Sequence, residues 1–185
     1  MSLQQDYNEK IVPALEKSLK TTNAHCIPRL LSVHINVGIG SAVSSGRDPE
    51  EIVANIAAIT GQKPMISKST KAISNFKLRI NMPVGVTVTL RGARMYGFID
   101  KLVNIVFPRV RDFRGIPLKS FDGNGNYSIG IKEHTVFPEI ESEDVSKIHG
   151  VQITIKTSAE DDATALELLK ALGFPFKKEV VKDAA

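Results

Sequence analysis

Eight residues, Leu30-Leu31-Ser32-Val33-His34-Ile35-Asn36-Val37, decide the fold. Leu31, Val33, Ile35 and Val37 fall on one face of an extended chain, and Ser32, His34 and Asn36 fall on the other. Alternation of period two marks a strand with one side in a core and the other in water. The pattern returns in Val84, Val86, Val88 and Leu90 against Gly85, Thr87, Thr89 and Arg91. It returns again in Val151, Ile153 and Ile155 against Gln152, Thr154 and Lys156. Strands of this kind build a sheet that helices cover on one side only, leaving a polar face open to a partner.

The covering helices are legible between the strands. Tyr7, Ile11, Leu15 and Leu19 recur every four residues, which predicts a helix over 3–20 with a kink at Pro13. Asp48 as N-cap, Pro49 at the first helical position and Glu50 and Glu51 in the first turn open a second helix. It turns Ile52, Ile56 and Ile59 inward and ends at Gly61. Met95, Phe98, Ile99, Leu102 and Val106 give a third, stopped by Pro108. Thr157 and Glu160 have capping-box spacing ahead of a fourth, through Leu166, Leu169 and Leu172 to Gly173. Residues 126–132 and 136–140 read as shorter strands. The expected architecture is α+β, a mostly antiparallel sheet with helices packed on one face, in a ferredoxin-like or RNA-recognition-like topology.

The 185 residues, 42% hydrophobic and 24% charged, contain no repeat, low-complexity tract or linker. One domain over residues 1–178 is expected, with a disordered tail over 179–185. No apolar run reaches the ~18 residues of a membrane span, and the N-terminus lacks the apolar stretch of a signal peptide. Cys26 is the single cysteine, which excludes an internal disulfide and fits a reducing cytoplasm.

Net charge is only +4, but its distribution is uneven. Residues 61–120 hold twelve Lys and Arg against two Asp, a local balance of +10, while the flanks are neutral to acidic. Such a field draws polyanions. Three segments carry it. Thr60-Gly61-Gln62-Lys63-Pro64, continuing to Lys68 and Lys71, sets lysines, hydroxyls and an amide directly after a helix end. It reads as a phosphate- and ribose-facing segment, or as a plain polar connection. Ser74-Asn75-Phe76-Lys77-Leu78-Arg79 reads as a basic turn tip without acidic residues, in which Phe76 is either a core anchor or an exposed ring for stacking. In Arg109-Val110-Arg111-Asp112-Phe113-Arg114, strand spacing would put Arg109 and Arg111 on one side, facing phosphates unless one pairs with Asp112.

Other chemistries fit poorly. Gly38-Ile39-Gly40 follows a strand, yet Val43 stands where a dinucleotide fingerprint needs its third glycine. The glycines suit close backbone approach to RNA instead, with Asn36 in the same patch. Asp122, Asn124, Asn126 and Glu133 match four positions of a calcium loop, but Tyr127 occupies its obligatory glycine position, so a glycine-rich turn is expected. The four histidines lack metal-ligand spacing and no nucleophile elbow occurs. No metal, cofactor or catalysis is expected, and the carboxylates at 139–144 and 160–162 read as solvated faces.

Taken in order along the chain, these segments resemble a known family. Thr60 to Pro64, Ser74 to Arg79, Met82-Pro83-Val84-Gly85, Val88-Thr89-Leu90-Arg91-Gly92, Pro108 to Gly115, Ser120-Phe121-Asp122-Gly123, Gly125-Asn126-Tyr127-Ser128 and Phe137-Pro138-Glu139-Ile140 look like the bacterial large-subunit ribosomal protein five family. The likeness spans about residues 5–178. It implies a cytoplasmic structural protein of the large ribosomal subunit that anchors 5S rRNA in the central protuberance. It implies 5S contacts at Asn36, Gly38, Gly40, Gly61, Gln62, Lys63, Pro64, Lys68 and Lys71, and a loop from Ser74, Asn75, Phe76 and Lys77 to Arg79 that reaches peptidyl-site tRNA. It further implies contacts with 23S rRNA, with neighbouring large-subunit proteins and with a protein of the small-subunit head. Arg91, Arg94, Arg109, Arg111 and Arg114 are the additional rRNA-contact candidates.

Two other classes compete. A free-standing reader of single-stranded RNA needs an aromatic motif on a strand, whereas Tyr96-Gly97-Phe98 lies in an expected helix. A small ferredoxin-like enzyme needs a reactive constellation that no segment supplies.

Overall fold

Val33, Ile35 and Val37 lie buried along one side of the central strand β1 (Leu30–Gly38), as their spacing requires. The computed structural model describes residues 3–19, 23–40, 48–140 and 148–177. The expectations for the loop running to Gly46 and for the tail 179–185 fall outside these residues.

β1 is flanked by β3 (Pro83–Leu90) and β5 (Val151–Thr157). β2 (Met65–Lys68) extends the sheet beyond β3, and β4 (Tyr127–Ile131) extends it beyond β5. The order is β2-β3-β1-β5-β4 and every pairing is antiparallel. Strands β1, β2, β3 and β5, with a helix after β1 and another after β3, form the expected ferredoxin-like arrangement. β4 is an added edge strand.

The inward side chains of the strands join one continuous core with the helices. Helix α1 (residues 3–19) contributes Tyr7, Ile11 and Leu15; α2 (Pro49–Thr60) contributes Ile52, Ile56 and Ile59. Helix α3 (residues 92–109) adds Met95, Phe98, Ile99, Leu102 and Val106, and α4 (Asp162–Ala171) adds Leu168 and Leu169. α2 packs on β3 and α3 on β1, while α1 leans on α3 and α4. Each fully buried Leu or Ile is worth about 1.5–3 kcal/mol relative to exposure.

Sequence and structure part at five places. Leu31 is not a core residue: a bulge between Leu30 and Ser32 turns Leu30 inward and leaves Leu31 38% exposed. α3 ends one residue past Pro108, at Arg109, and α1 runs on through Pro13. In both helices a π-helical turn, Tyr7–Ile11 or Leu102–Val106, ends just before the residue preceding the proline. The wider turn relieves the clash a proline ring makes with the carbonyl four residues back. Residues 136–140 are no strand; a 3-10 turn, His134–Val136, leads into them. Thr157 does not cap α4, because its hydroxyl is buried and donates to Gly125 O (2.7 Å). Arg109 closes α3 and Asp112 has φ +51°, so the 109–114 segment lacks strand spacing.

Candidate nucleic-acid interface

The uncovered side of the sheet is built from the residues that alternate with the core. Ordered by register, one row runs Thr89, His34, Thr154, Ser128 across β3, β1, β5 and β4. The next runs Met65, Thr87, Asn36, Gln152, Gly130 across all five strands. No carboxylate stands among these outward positions. Hydroxyls and amides dominate, and they bond one another: Ser128 with Thr154 at 3.0 Å, Asn36 Nδ2 to Gln152 Oε1 at 3.5 Å. At the centre His34 is held from both sides, Nε2 by Ser32 Oγ (2.9 Å) and Nδ1 by Thr89 Oγ1 (3.1 Å). Burial, with Arg91 and Lys156 nearby, holds its imidazole below the ordinary histidine range.

The end of α2 delivers Gln62 to this face. Gly61 takes the left-handed conformation (φ +65°) that a side chain resists, and reverses the chain. Thr60 Oγ1 donates to Ile56 O (2.7 Å) and accepts from the Gln62 N–H (3.3 Å). Gln62 Nε2 then reaches Thr89 O at 3.4 Å. Lys63 beside it is exposed, whereas Pro64 is buried and serves to hold the segment in place. Asn36 is exposed in the middle of the face.

Gly38 and Gly40 lie at the opposite end of β1. A Cβ at either would meet nothing within 4 Å, so packing within the chain does not require glycine there. Lys68 is exposed near this end, where Ser67 and Gly38 both pair with Gly85. Beyond it the chain between β2 and β3 projects as a hairpin, closed by an Ile73–Leu78 bridge. Ser74–Phe76 form its 3-10 tip, and the Lys77 N–H donates to Ser74 O (2.9 Å) at φ +53°. Phe76 is 73% exposed, which decides against a core anchor. Ile73 and Ile80 are exposed as well, beside exposed Lys71, Lys77 and Arg79.

The third segment stands apart. Arg109 at the end of α3 and Arg111 and Arg114 on the loop after it are exposed. A cleft of about 370 Å³ lined by Arg111, Phe107, Phe113, Ile116, Ile129 and Lys132 separates that loop from the β4 edge. With strands about 4.8 Å apart, β4 lies roughly 19 Å from β2 across the sheet. Arg91 and Arg94, both exposed at the start of α3, sit nearer the first group. Lys101 is turned inward, donating to Ile59 O (2.7 Å) and paired with Glu139. The Asp122 carboxylate is occupied by the N–H groups of Asn124 (2.9 Å) and Asn126 (3.0 Å), as a turn requires.

Thr87, Thr89, His34, Gln152 and Lys156 lie on the same open side as Asn36 although no motif marks them in the sequence. Their outward phase is visible in the alternation; that they sit beside Asn36 and Gln62 depends on strand register.

Comparison with known proteins gives a uniform result. Residues 23–79 match the family described as ribosomal protein L5, and residues 83–176 match the model of that ribosomal family's C-terminus. A large ribosomal subunit protein uL5 of Halothermothrix orenii is 51% identical over 95% of this chain and 98% of its own length. The uL5 proteins of Prochlorococcus marinus and Streptococcus pyogenes are 49% and 48% identical, covering 96% and 95% of the chain and 99% and 98% of their own lengths.

Proposed function

The chain belongs to the ribosomal protein L5 family, a structural rather than catalytic component of the large ribosomal subunit, and from that premise we propose how its surfaces divide the work. The open face, from Gln62, Lys63 and Thr89 through Asn36 to Gly38, Gly40 and Lys68, grips 5S rRNA and anchors it in the central protuberance. The hairpin carrying Ser74, Asn75, Phe76, Lys77 and Arg79 reaches peptidyl-site tRNA. The Arg109, Arg111 and Arg114 loop serves 23S rRNA and the small-subunit head, with Arg91 and Arg94 as further rRNA contacts.

The observation that carries this reading is the open face itself. It offers hydroxyls, amides and bare glycine backbone without a carboxylate among the described outward positions of the strands. Those groups match phosphate and 2′-hydroxyl oxygens of folded RNA. Its described strand positions hold no Phe, Tyr or Trp; the one ring there, that of His34, is tied at both nitrogens to Ser32 and Thr89, and Tyr96 and Phe98 are buried in α3. Stacking of splayed single-stranded bases therefore has no platform on the sheet.

The test is 5S rRNA binding by variants. Asn36→Ala and Gln62→Ala should each weaken it about five- to tenfold, the worth of one well-placed hydrogen bond. A triple change of Phe76, Lys77 and Arg79 to Ala should leave it intact while displacing tRNA on assembled ribosomes. Full 5S affinity in both open-face variants would remove that face from the interface.

A further inference from the structure

Around His34 on the open face, two cationic side chains flank the ring, the buried hydroxyl of Ser32 and the half-buried one of Thr89. Ser32 pairs with Lys156 on β5. On the other side Arg91 follows Leu90, the partner of Val33, in extended conformation, and its charge acts on His34. Ser32 is only 3% exposed even though it shares the polar side with His34. The ring of His34 bridges Ser32 Oγ and Thr89 Oγ1, so Ser32, His34 and Thr89 form one hydrogen-bonded chain between Arg91 and Lys156.

A neutral imidazole in that chain donates from one nitrogen and accepts at the other. A protonated one donates from both, which turns the hydroxyl hydrogens of Ser32 and Thr89 outward as donors. The charges acting on the ring come from β5 (Lys156) and the end of β3 (Arg91), and both are positive. They and burial oppose protonation in the free protein. A bound phosphate would offset the two cations and reverse that opposition.

We propose that Arg91 and Lys156, standing over Ser32, His34 and Thr89, form a phosphate subsite in which docking of a 5S rRNA phosphodiester is accompanied by protonation of His34. The subsite rests on the open face being an RNA surface, and it adds to that face a proton-linked contact and two residues, His34 and Lys156. The proton moves from solvent to the ring, and no covalent bond changes. The sign follows from the linkage. Because binding raises the imidazole pKa from a depressed free value, affinity is highest below the free pKa. It declines as pH rises through the window up to the bound pKa, and levels off above it.

Binding of the full chain to 5S rRNA is measured between pH 5.5 and 8 at constant ionic strength, with His34→Gln and Lys156→Gln beside the parent. The parent should tighten as pH falls, by no more than about tenfold per unit, the limit for one proton. His34→Gln should lose that slope. Lys156→Gln should weaken binding and reduce the salt slope by about one. NMR titration of the parent's own histidines, free and bound, provides a readout that needs no variant: the His34 resonance should titrate at higher pH in the complex. Equal pH slopes for the parent and His34→Gln, or an unshifted His34 titration on binding, would overturn the subsite while leaving RNA binding in place. No 5S binding by the parent at any pH would overturn the RNA reading itself.

Discussion

His134 is fully buried, its ring stacked on that of His149 with centroids 3.8 Å apart. Its Nδ1 accepts from the His149 backbone N–H (3.3 Å), and its Nε2 finds no partner among the described residues. Burial and the neighbouring imidazole push its pKa down to about 4. A histidine depressed in the folded state supports the fold fully above its unfolded pKa, about 6.5, and that support is lost as pH falls towards 4. The expected loss is on the order of 2–3 kcal/mol across that window. Chemical denaturation at pH 7 and pH 4.5 checks it: His134→Gln should lose less stability on acidification than the parent. Phe76 is the opposite case. With 73% of its surface exposed, Phe76→Ala should shift unfolding by no more than about 0.5 kcal/mol, and any functional effect must then arise from lost contact.

At the scale of elements, the turn before β4 shows what single segments conceal. Asp162, in the first turn of α4, accepts the N–H groups of Gly123 (3.2 Å) and Gly125 (3.0 Å). Gly125 has φ +74°, and a Cβ there would stand 2.7 Å from Ala159 O. Gly125→Ala should therefore destabilise by about 2 kcal/mol or more, through backbone strain and displacement of the Ala159 turn. Asp162→Ala should cost about 1–2 kcal/mol through two unpaired amides. Thermal melts of both variants measure this, and a neutral Gly125→Ala would refute the close approach. Thr157 belongs to the same lock, which explains why its capping-box spacing misleads: the hydroxyl is already bonded across to Gly125. Strand alternation, the Asp48 cap and the Gly61 terminus were legible because each is a local rule. The Leu31 bulge was not, since it answers to pairing with β5, distant in sequence; the widened turns before Pro13 and Pro108 have a local cause but leave no mark in the apolar spacing.

Across the whole molecule, the cations of residues 61–120 divide between two edges of one sheet. If the open face and the cations around it neutralise ~6 phosphates, log affinity for 5S rRNA should fall with log salt at a slope of about −4 to −5. Replacing Arg109, Arg111 and Arg114 should leave that slope unchanged while impairing contacts of the assembled subunit, as sedimentation and subunit-joining assays would show. A slope that flattens equally for both groups would mean that the two edges act on 5S rRNA together. Asn36, Gln62 and Lys63 were legible as candidates from residue type and segment. Thr89 and Lys156 were not, because nothing local to a strand says which residues of the next strand lie beside it.

The bare side of the sheet has one more consequence. Along β1, β3 and β5 the chain interleaves two messages, one residue for cohesion and the next for recognition. Evolution can rewrite the second without touching the first. A systematic scan of these strands should split by phase: Val33 and Ile35 on β1, Val86 and Val88 on β3, and Val151 and Ile153 on β5 should register in melting temperature, and neighbours such as His34, Asn36, Thr87, Gln152 and Thr154 in RNA affinity alone.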